Sequence, residues 1–586
     1  MDNQDKAHKK LASNALSGMV ATMIYMVSRL FLTPFILHYL SLAEFGLWSL
    51  CFIILSYAGM GGFGVNSTYI RYSARYLAEG KEKEISKLLS TGIAYMLSFS
   101  LLFCSLLYLI MPFILKSFHI EKAQQDLAST IFLGTAAVFS LELTLGGFRF
   151  IINGIHEFAK ERIVTTVAGL LEIIAIVIFL IFGSGVRGLL YAFALRLVLE
   201  TTGYWKIART LLPSLTVSKK LITREHFRLF VGFGGKVQIL GILAIFLSAI
   251  DRLFINAIAG LSAGGLFEIG RKLPSTGGMI SSSIFGPFLS TAAHLEGSWT
   301  GNMNDPLSNR IKTYIHIALV AISLGIIPVV FLPQLQSFLP FSNMLTALIA
   351  AAIFSFLFFH LQQKQKFYNK INSSELKELY LNGIRFTNII NSTLFVFLIV
   401  MAHPLIDAWV GEKYIEASNI MIFLSIGYSI QLSTGPITLI FRGIDRNGRE
   451  LEYMLVQALL MVIWIPAATT AFGLTGAAAG IACSSMVSTL FLFWRSNYTF
   501  QVRPKEFIYR TLLPVLVTFL PASAVYAISV IFPTTGRVED IVQVLACGTG
   551  YVLICAALFW TIILSSDEKI KAMELLPFKK QRQSPC

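Results

Sequence analysis

Charge is scarce in this chain. Asp, Glu, Lys and Arg make up 13% of its 586 residues, about half the share of an ordinary soluble domain, too little to coat a water-soluble surface. Cysteine is scarce too. The six, Cys51, Cys104, Cys483, Cys547, Cys555 and Cys586, fall in apolar runs or at the last residue, with no Cys-x-x-Cys and no histidine at ligand spacing. Neither a disulfide framework nor a metal site is expected, and no cofactor is implied. Strict apolar–polar alternation is also missing, as IAYMLSFSLLFCSLLYLIMPFIL at 93–115 illustrates, which argues against a transmembrane barrel.

What the chain has instead is oil. Hydrophobic residues make up 55% and the mean hydropathy is +0.69. Apolar runs of about 18 residues or more recur throughout, each long enough to cross a hydrocarbon core of about 30 Å as a helix. Runs are expected near 14–37, 44–65, 89–115, 127–148, 164–183, 188–205, 233–260 and 264–290. Eight more lie near 313–332, 341–360, 386–403, 417–440, 452–472, 474–494, 511–532 and 541–564, sixteen in all. The N-terminus, MDNQDKAHKK, leads into a run too long for a cleavable signal, so the first helix is expected to be an uncleaved anchor.

The formal net charge is +15, a balance that could suggest nucleic acid. Position says otherwise. With the N-terminus inside, the expected cytoplasmic segments hold 36 of the 47 Lys and Arg, while the outer loops hold only Lys116, Lys122, Arg187, Lys413 and Arg537. That asymmetry is the positive-inside rule, and it predicts both termini in the cytoplasm. Nucleic acid is not expected as a partner; membrane lipids are, and the basic tail ELLPFKKQRQSPC suits anionic lipid.

Six cations remain inside expected helices: Arg29, Arg196, Lys236, Arg252, Arg271 and Lys272. Arg29 opens a stretch that looks duplicated. SRLFLTPFILHYLSLAEFGLW and DRLFINAIAGLSAGGLF both run from Arg-Leu-Phe through a Leu-Ser turn to Gly-Leu-aromatic, and FGSGVRGLL and FGLTGAAAG share a Phe-Gly-x-x-x-Gly-like turn. Six helices separate the two starts, so the copies point the same way and form two parallel lobes, with a substrate site expected between them. Arg29 and Arg252 each lie about nine residues from the outer end of their helices, roughly 13 Å deep at 1.5 Å per residue. Arg271 and Lys272 return to the same depth. Adjacent helical residues point about 100° apart, so Asp251 is not expected to neutralise Arg252, whereas Glu268 can reach Arg271 and Lys272.

The belt then counts four cations against two carboxylates. Each charged residue costs about 2.5–3.5 kcal/mol at the bilayer centre unless compensated, and a hydrated cleft that receives an anion supplies the compensation. Asp251, Glu268, Arg271, Arg252 and Lys272 also admit a plain hairpin-bracing reading. Arg196 and Glu200 are expected to pair at i,i+4. Glu142 and Glu172, alone in apolar runs, are either coupling groups for a proton or another cation such as sodium, or helix-packing hydrogen bonders.

Some matches mislead. Gly59-Met60-Gly61-Gly62-Phe63-Gly64 fits the dinucleotide fingerprint but follows a membrane helix with no strand before it. The sequons at Asn66, Asn372 and Asn391 fall near the cytoplasmic side. No catalytic constellation stands out; Asp407 in HPLIDAWVGEKY is the nearest candidate for an enzyme, a lipid-linked glycosyltransferase or polymerase.

Three stretches together resemble the polysaccharide flippases, O-antigen type, of the multidrug, oligosaccharidyl-lipid and polysaccharide exporter superfamily. They are GGFGVNSTYIRYSAR, AIDRLFINAIAGLSAGGLFEIGRKLPS and AWVGEKYIEASNIMIFLS, the last carried by Trp409, Gly411, Tyr414 and Ala417. The resemblance implies an all-α polytopic membrane protein of fourteen core helices in two lobes, here with an extra hairpin. It implies transport of an undecaprenyl-pyrophosphate-linked oligosaccharide across a bacterial inner membrane, as in lipopolysaccharide O-antigen synthesis, rather than catalysis. Cleft cations would bind the pyrophosphate, for which Arg29, Arg252, Arg271 and Lys272 match, with Arg71 at the cytoplasmic mouth. The expected domains are 1–232, 233–510 with the inserted hairpin near 313–360, 511–566 and a basic tail 567–586. A cation-coupled drug or metabolite antiporter is the alternative on the same fold, favouring carboxylates over arginines.

Overall fold

The computed structural model describes residues 27–59, 63–231, 235–283, then 285, 288, 289, 291, 292 and 295, and 371–575 apart from 372, 445, 447 and 535. Among these residues every regular element is helical. Hydrocarbon offers backbone groups no partner, and a helix satisfies them within one segment. The chain order is α1 (27–39), α2 (Leu42–Gly59), α3 (Phe63–Ala78), α4 (Glu82–Ser117), α5 (Gln125–Leu145), α6 (Gly147–Gly154), α7 (Phe158–Ile181), α8 (Gly185–Leu211), α9 (Arg224–Leu229) and α10 (Gly235–Ser282). It continues as α11 (Ser374–Val400), α12 (Ala402–Val410), α13 (Ala417–Leu432), α14 (Gly435–Gly443), α15 (Gly448–Thr499), α16 (Pro504–Ile531), α17 (Arg537–Leu558) and α18 (Ser566–Leu575).

Among the described residues nine helical stretches are long and apolar enough to span a membrane. Two of them, α10 and α15, each hold two of the expected runs, broken at Gly260 and at Phe472–Gly473. Every expected run outside 313–360 meets a described helix; 313–332 and 341–360 lie outside the described residues. The segment 66–88, between the expected runs 44–65 and 89–115, is helical over most of its length, in α3 and the start of α4. Its hydropathy is low, but Val65, Tyr69, Tyr72 and Tyr76 recur at helical spacing and pack with Leu88 and Leu89 of α4 and Ile151 and Ile152 of α6. Such a one-sided stripe holds a helix without a membrane around it.

The chain forms two compact units. Among the described residues the first runs to Glu268 and takes in Met461–Ala477; the second holds Ile269 to Leu460 and everything from Ala478. In the first, Leu50, Ile53, Ile131, Phe132 and Leu189 centre one apolar cluster and Tyr69, Leu88 and Ile151 a second. In the second, Met401, Val525, Tyr551 and Cys555 join α11, α16 and α17.

Duplication is visible in local geometry. Within the first unit, the α1–α2 turn is fixed by a reciprocal cap: the Glu44 N–H donates to Ser41 Oγ at 3.2 Å and the Ser41 N–H to Glu44 Oε2 at 2.9 Å. The equivalent turn within α10 is Gly260, at φ 84°. The two turns approach each other symmetrically. A Cβ on Gly46 would lie 2.0 Å from the Leu261 carbonyl oxygen, and one on Gly265 would lie 2.5 Å from the Leu42 carbonyl oxygen. Leu42 matches Leu261 and Gly46 matches Gly265 when the copies are aligned on Gly-Leu-aromatic, so a local two-fold relates them. Downstream, α6 and α14 both end in Gly-Ile, with near-identical backbone at Ile155 (φ −90°, ψ 16°) and Ile444 (φ −98°, ψ 23°). The Phe-Gly turns both carry a left-handed glycine, Gly183 at φ 75° and Gly473 at φ 62°.

In the second unit α12, a short helix between spanning ones, is tied to α17. Arg537 donates to the Ala408 and Trp409 carbonyls at 3.1 and 2.7 Å, capping the helix C-terminus, where a cation is favoured. Thr534 Oγ1 donates to Asp540 Oδ1 at 2.5 Å. Burial, then the hydrogen bond and negative charge of Asp540, hold the Asp407 carboxyl above its usual range.

Gly46→Leu is expected to cost about 1–3 kcal/mol by forcing the two turns apart, read as a lower melting temperature of the detergent-solubilised protein. A carboxyl with a raised folded pKa keeps its proton after the unfolded chain has lost it. Its stability contribution is complete below the unfolded value, near 3.8, and is lost as pH rises through the folded value. Asp407→Asn should therefore raise thermal stability at neutral pH and flatten its decline above pH about 4; an unchanged melting curve at both ends would remove the effect.

Candidate functional site: charges within the spanning helices

Arg29 stands on α1 without an acid on its own helix, and a neighbour supplies one. Its Nη2 lies 2.5 Å from Oε2 of Glu172 on α7. The same oxygen lies 3.6 Å from Nη1 of Arg196 on α8, and Arg196 Nε donates to Glu200 Oε1 at 2.8 Å. The expected Arg196–Glu200 pair thus forms, as part of a longer chain of charges. The carboxylates are buried, with 3% of the Glu172 and 4% of the Glu200 side chain exposed, while Arg29 and Arg196 expose 23% and 19%. Glu142 on α5 sits in the field of Arg196, Glu200, Arg149 and Glu172.

The hairpin within α10 carries the second group. Asp251, expected to point away from Arg252, does engage it: Asp251 Oδ1 accepts the Arg252 backbone N–H at 2.8 Å and lies 3.8 Å from Arg252 Nε. A short aspartate can fold back onto the next peptide, and the helical 100° offset constrains only the Cβ direction. Across the hairpin Arg252 Nη1 meets Glu268 Oε1 at 3.4 Å, and Nη2 donates to the Ser248 carbonyl at 2.8 Å. Asn256 Nδ2 donates to the Arg252 carbonyl at 2.7 Å, locking that turn.

Charge in the first unit is therefore matched locally. Its described spanning helices set Arg29, Arg196 and Arg252 beside Glu142, Glu172, Glu200, Asp251 and Glu268. The expected count of four cations against two carboxylates missed the acids on α5, α7 and α8, because sequence distance hides partners more than a hundred residues away. Arg271 and Lys272 belong to the second unit, both half-buried. Pro274 follows, lacking the N–H that would bond Gly270, while the Ser275 and Thr276 hydroxyls bond the Lys272 carbonyl. Arg71 is exposed on α3, its guanidinium 5.8 Å from the Tyr72 ring centre.

Two further ion pairs escaped the sequence reading, and the duplication was the signal for them. Arg149 Nε donates to Glu161 Oε1 at 2.7 Å, and Thr165 donates to the same oxygen at 3.0 Å. At the corresponding place in the second unit, Arg442 grips Glu450 with two bonds of 2.6 and 2.5 Å. Glu161 and Glu450 stand seven residues beyond the matching glycines, Gly154 and Gly443. Each braces a short helix to the start of the next, and each carboxylate is almost fully buried.

Elsewhere in the second unit, Glu452 lies 3.6 Å from both Arg449 and Arg495, and amides and hydroxyls bond one another. Ser433 donates to Asn388 and Ser281 to Asn391, both at 2.5 Å, and Asn391 Nδ2 donates to the Ser429 carbonyl at 3.1 Å. Asn391, which heads a sequon, is 1% exposed and serves as helix-packing glue rather than a surface acceptor. Among the described residues no three His, Cys, Asp or Glu side chains converge to hold a metal.

Residues 8–293 match the family described as "Polysaccharide biosynthesis protein". No curated protein matches the chain. Among solved structures it is similar to the lipid II flippase MurJ in an inward closed conformation, at 14% identity and a TM-score of 0.61, covering 93% of this chain and 99% of that one. It is also similar to a MOP-superfamily transporter from Pyrococcus furiosus, described as having a binding pocket of reversed polarity (13%, TM-score 0.48, 84% and 95% covered). A multidrug-resistance MATE transporter in an inward-facing conformation is a third (16%, TM-score 0.49, 83% and 94%). The matched region takes in α1 to α10 with every candidate cation, and the whole-length similarity to MurJ is one of fold. Residues 8–293, just under half of the chain, thus resemble the polysaccharide biosynthesis protein family, and the chain as a whole shares its fold with the lipid II flippase MurJ.

Proposed function

We propose that this protein is a flippase that carries an undecaprenyl-pyrophosphate-linked oligosaccharide, of the kind used for O-antigen, across a bacterial inner membrane. Its termini would lie in the cytoplasm, following the placement of Lys and Arg. The observation that carries the reading is that Arg29, Arg71, Arg252, Arg271 and Lys272 all fall within the matched residues 8–293. Guanidinium groups suit a pyrophosphate because their planar fork gives two parallel bonds to phosphate oxygens. A polar glycan cannot cross hydrocarbon alone. In the proposed cycle the diphosphate docks on these cations, the polyprenyl tail stays in lipid, and the protein opens alternately to each side.

Carboxylates enter the cycle as counterions. Asp251, Glu268, Glu142 and Glu172 hold the guanidiniums in place when no substrate is bound, and Glu142 and Glu172 are the candidates for coupling a proton or sodium ion. Their number in the first unit is the one feature that favours a cation-coupled antiporter of small molecules. Transport of a lipid-linked glycan by reconstituted vesicles, without exchange of a cationic drug for protons, separates the two. The enzyme alternative has only Asp407, which is occupied in the α12–α17 joint; sugar release from a lipid donor by purified protein would support it.

Arg29→Ala and Arg252→Ala should each reduce glycan export more than about tenfold, equivalent to 1.4 kcal/mol, at unchanged protein level, with Lys retaining part of it. Normal export in both variants would withdraw the assignment.

A further inference from the structure

We infer that Arg196 joins Arg29 as the second guanidinium of the anion-binding position, and that Glu172 is the resident anion which an incoming diphosphate displaces. This inference rests on the flippase reading and names the device that would load its substrate.

The geometry is that of an anion already bound. One carboxylate oxygen, Glu172 Oε2, lies 2.5 Å from Arg29 on α1 and 3.6 Å from Arg196 on α8. Two guanidiniums from different helices thus meet at one oxygen contributed by a third. A phosphate group fits the same fork, with more acceptor oxygens than a carboxylate. Burial runs in the required order, since Glu172 is 3% exposed while the guanidiniums are reachable at 23% and 19%.

The fork survives the exchange. Arg196 has a second anchor, the 2.8 Å bond to Glu200, so it keeps its place when Glu172 is displaced or neutralised. With Glu172 in place two guanidiniums face two carboxylates in the Arg29–Glu172–Arg196–Glu200 group; without it they face one carboxylate fewer. In a low-dielectric body that state is unfavourable until another anion arrives. Swapping one anion for another leaves neither cation bare, so loading needs no prior loss of charge balance. Arg196 is not simply an internal brace of α8, since its Nη1 leaves Glu200 to face Glu172 on α7.

The test uses purified full-length protein with two probes, inorganic pyrophosphate and undecaprenyl diphosphate in nanodiscs. Glu172→Gln keeps the shape and removes the charge; it should bind both probes at least about fivefold more tightly, because the internal competitor has gone. Arg196→Ala should weaken binding about tenfold and abolish the gain in the double variant with Glu172→Gln, while Arg196→Lys recovers part of it. If Arg196 only ties α8 to α7, Glu172→Gln would bind no better than the parent and Arg196→Ala and Arg196→Lys would lose melting temperature without separating in affinity, which overturns the inference. Loss of binding in Arg29→Ala together with an unchanged Glu172→Gln would remove this inference and leave the flippase reading standing. Failure of the parent protein to bind either probe removes both.

Discussion

A charge inside an oil-like body must have a counter-charge within reach. In the first unit that requirement is met by helices far apart in sequence: α1 brings Arg29, α7 Glu172, and α8 both Arg196 and Glu200. Breaking such a pair leaves an uncompensated charge, which costs far more than the net gain of making it. The pairs therefore specify which helices stand together, even where they add little to stability. The α10 hairpin uses the same logic at shorter range, with Arg252 held by Asp251 from its own limb and Glu268 from the returning one.

The second unit adds a set of amide and hydroxyl bonds to its ion pairs. Asn388, Asn391, Ser433 and Ser281 bond one another and nearby carbonyls within the helix bundle, where no water competes. Duplicated elements, the Gly-Ile helix ends and the buried Glu161 and Glu450, have kept their frame while the interiors diverged. The first unit sets ion pairs within its spanning helices, whereas the second combines amide and hydroxyl bonding with ionic braces such as Arg442–Glu450 and Arg449–Glu452–Arg495.

Where the spanning helices lie among the described residues was legible because a run of apolar residues long enough to cross a bilayer has few other uses. Breaks at Gly260 and Gly473 were also legible, as both fall at the small-residue turns that marked the repeat. The amphipathic helix α3 was not, since hydropathy averages away a stripe that alternates with Arg71 and Arg75. The Arg196–Glu200 pair could be read from i,i+4 spacing, whereas Glu172 as the partner of Arg29 could not. No local pattern connects positions 143 residues apart. The engagement of Arg252 by Asp251 was missed because a side chain bonding the next peptide N–H does not obey the direction of its Cβ.

The mutual approach of Gly46 to the Leu261 carbonyl and of Gly265 to the Leu42 carbonyl has a thermodynamic corollary. At the points of closest approach the atoms are main chain, which has no rotamer with which to give way, so a substitution at either glycine acts through steric volume rather than lost bonding.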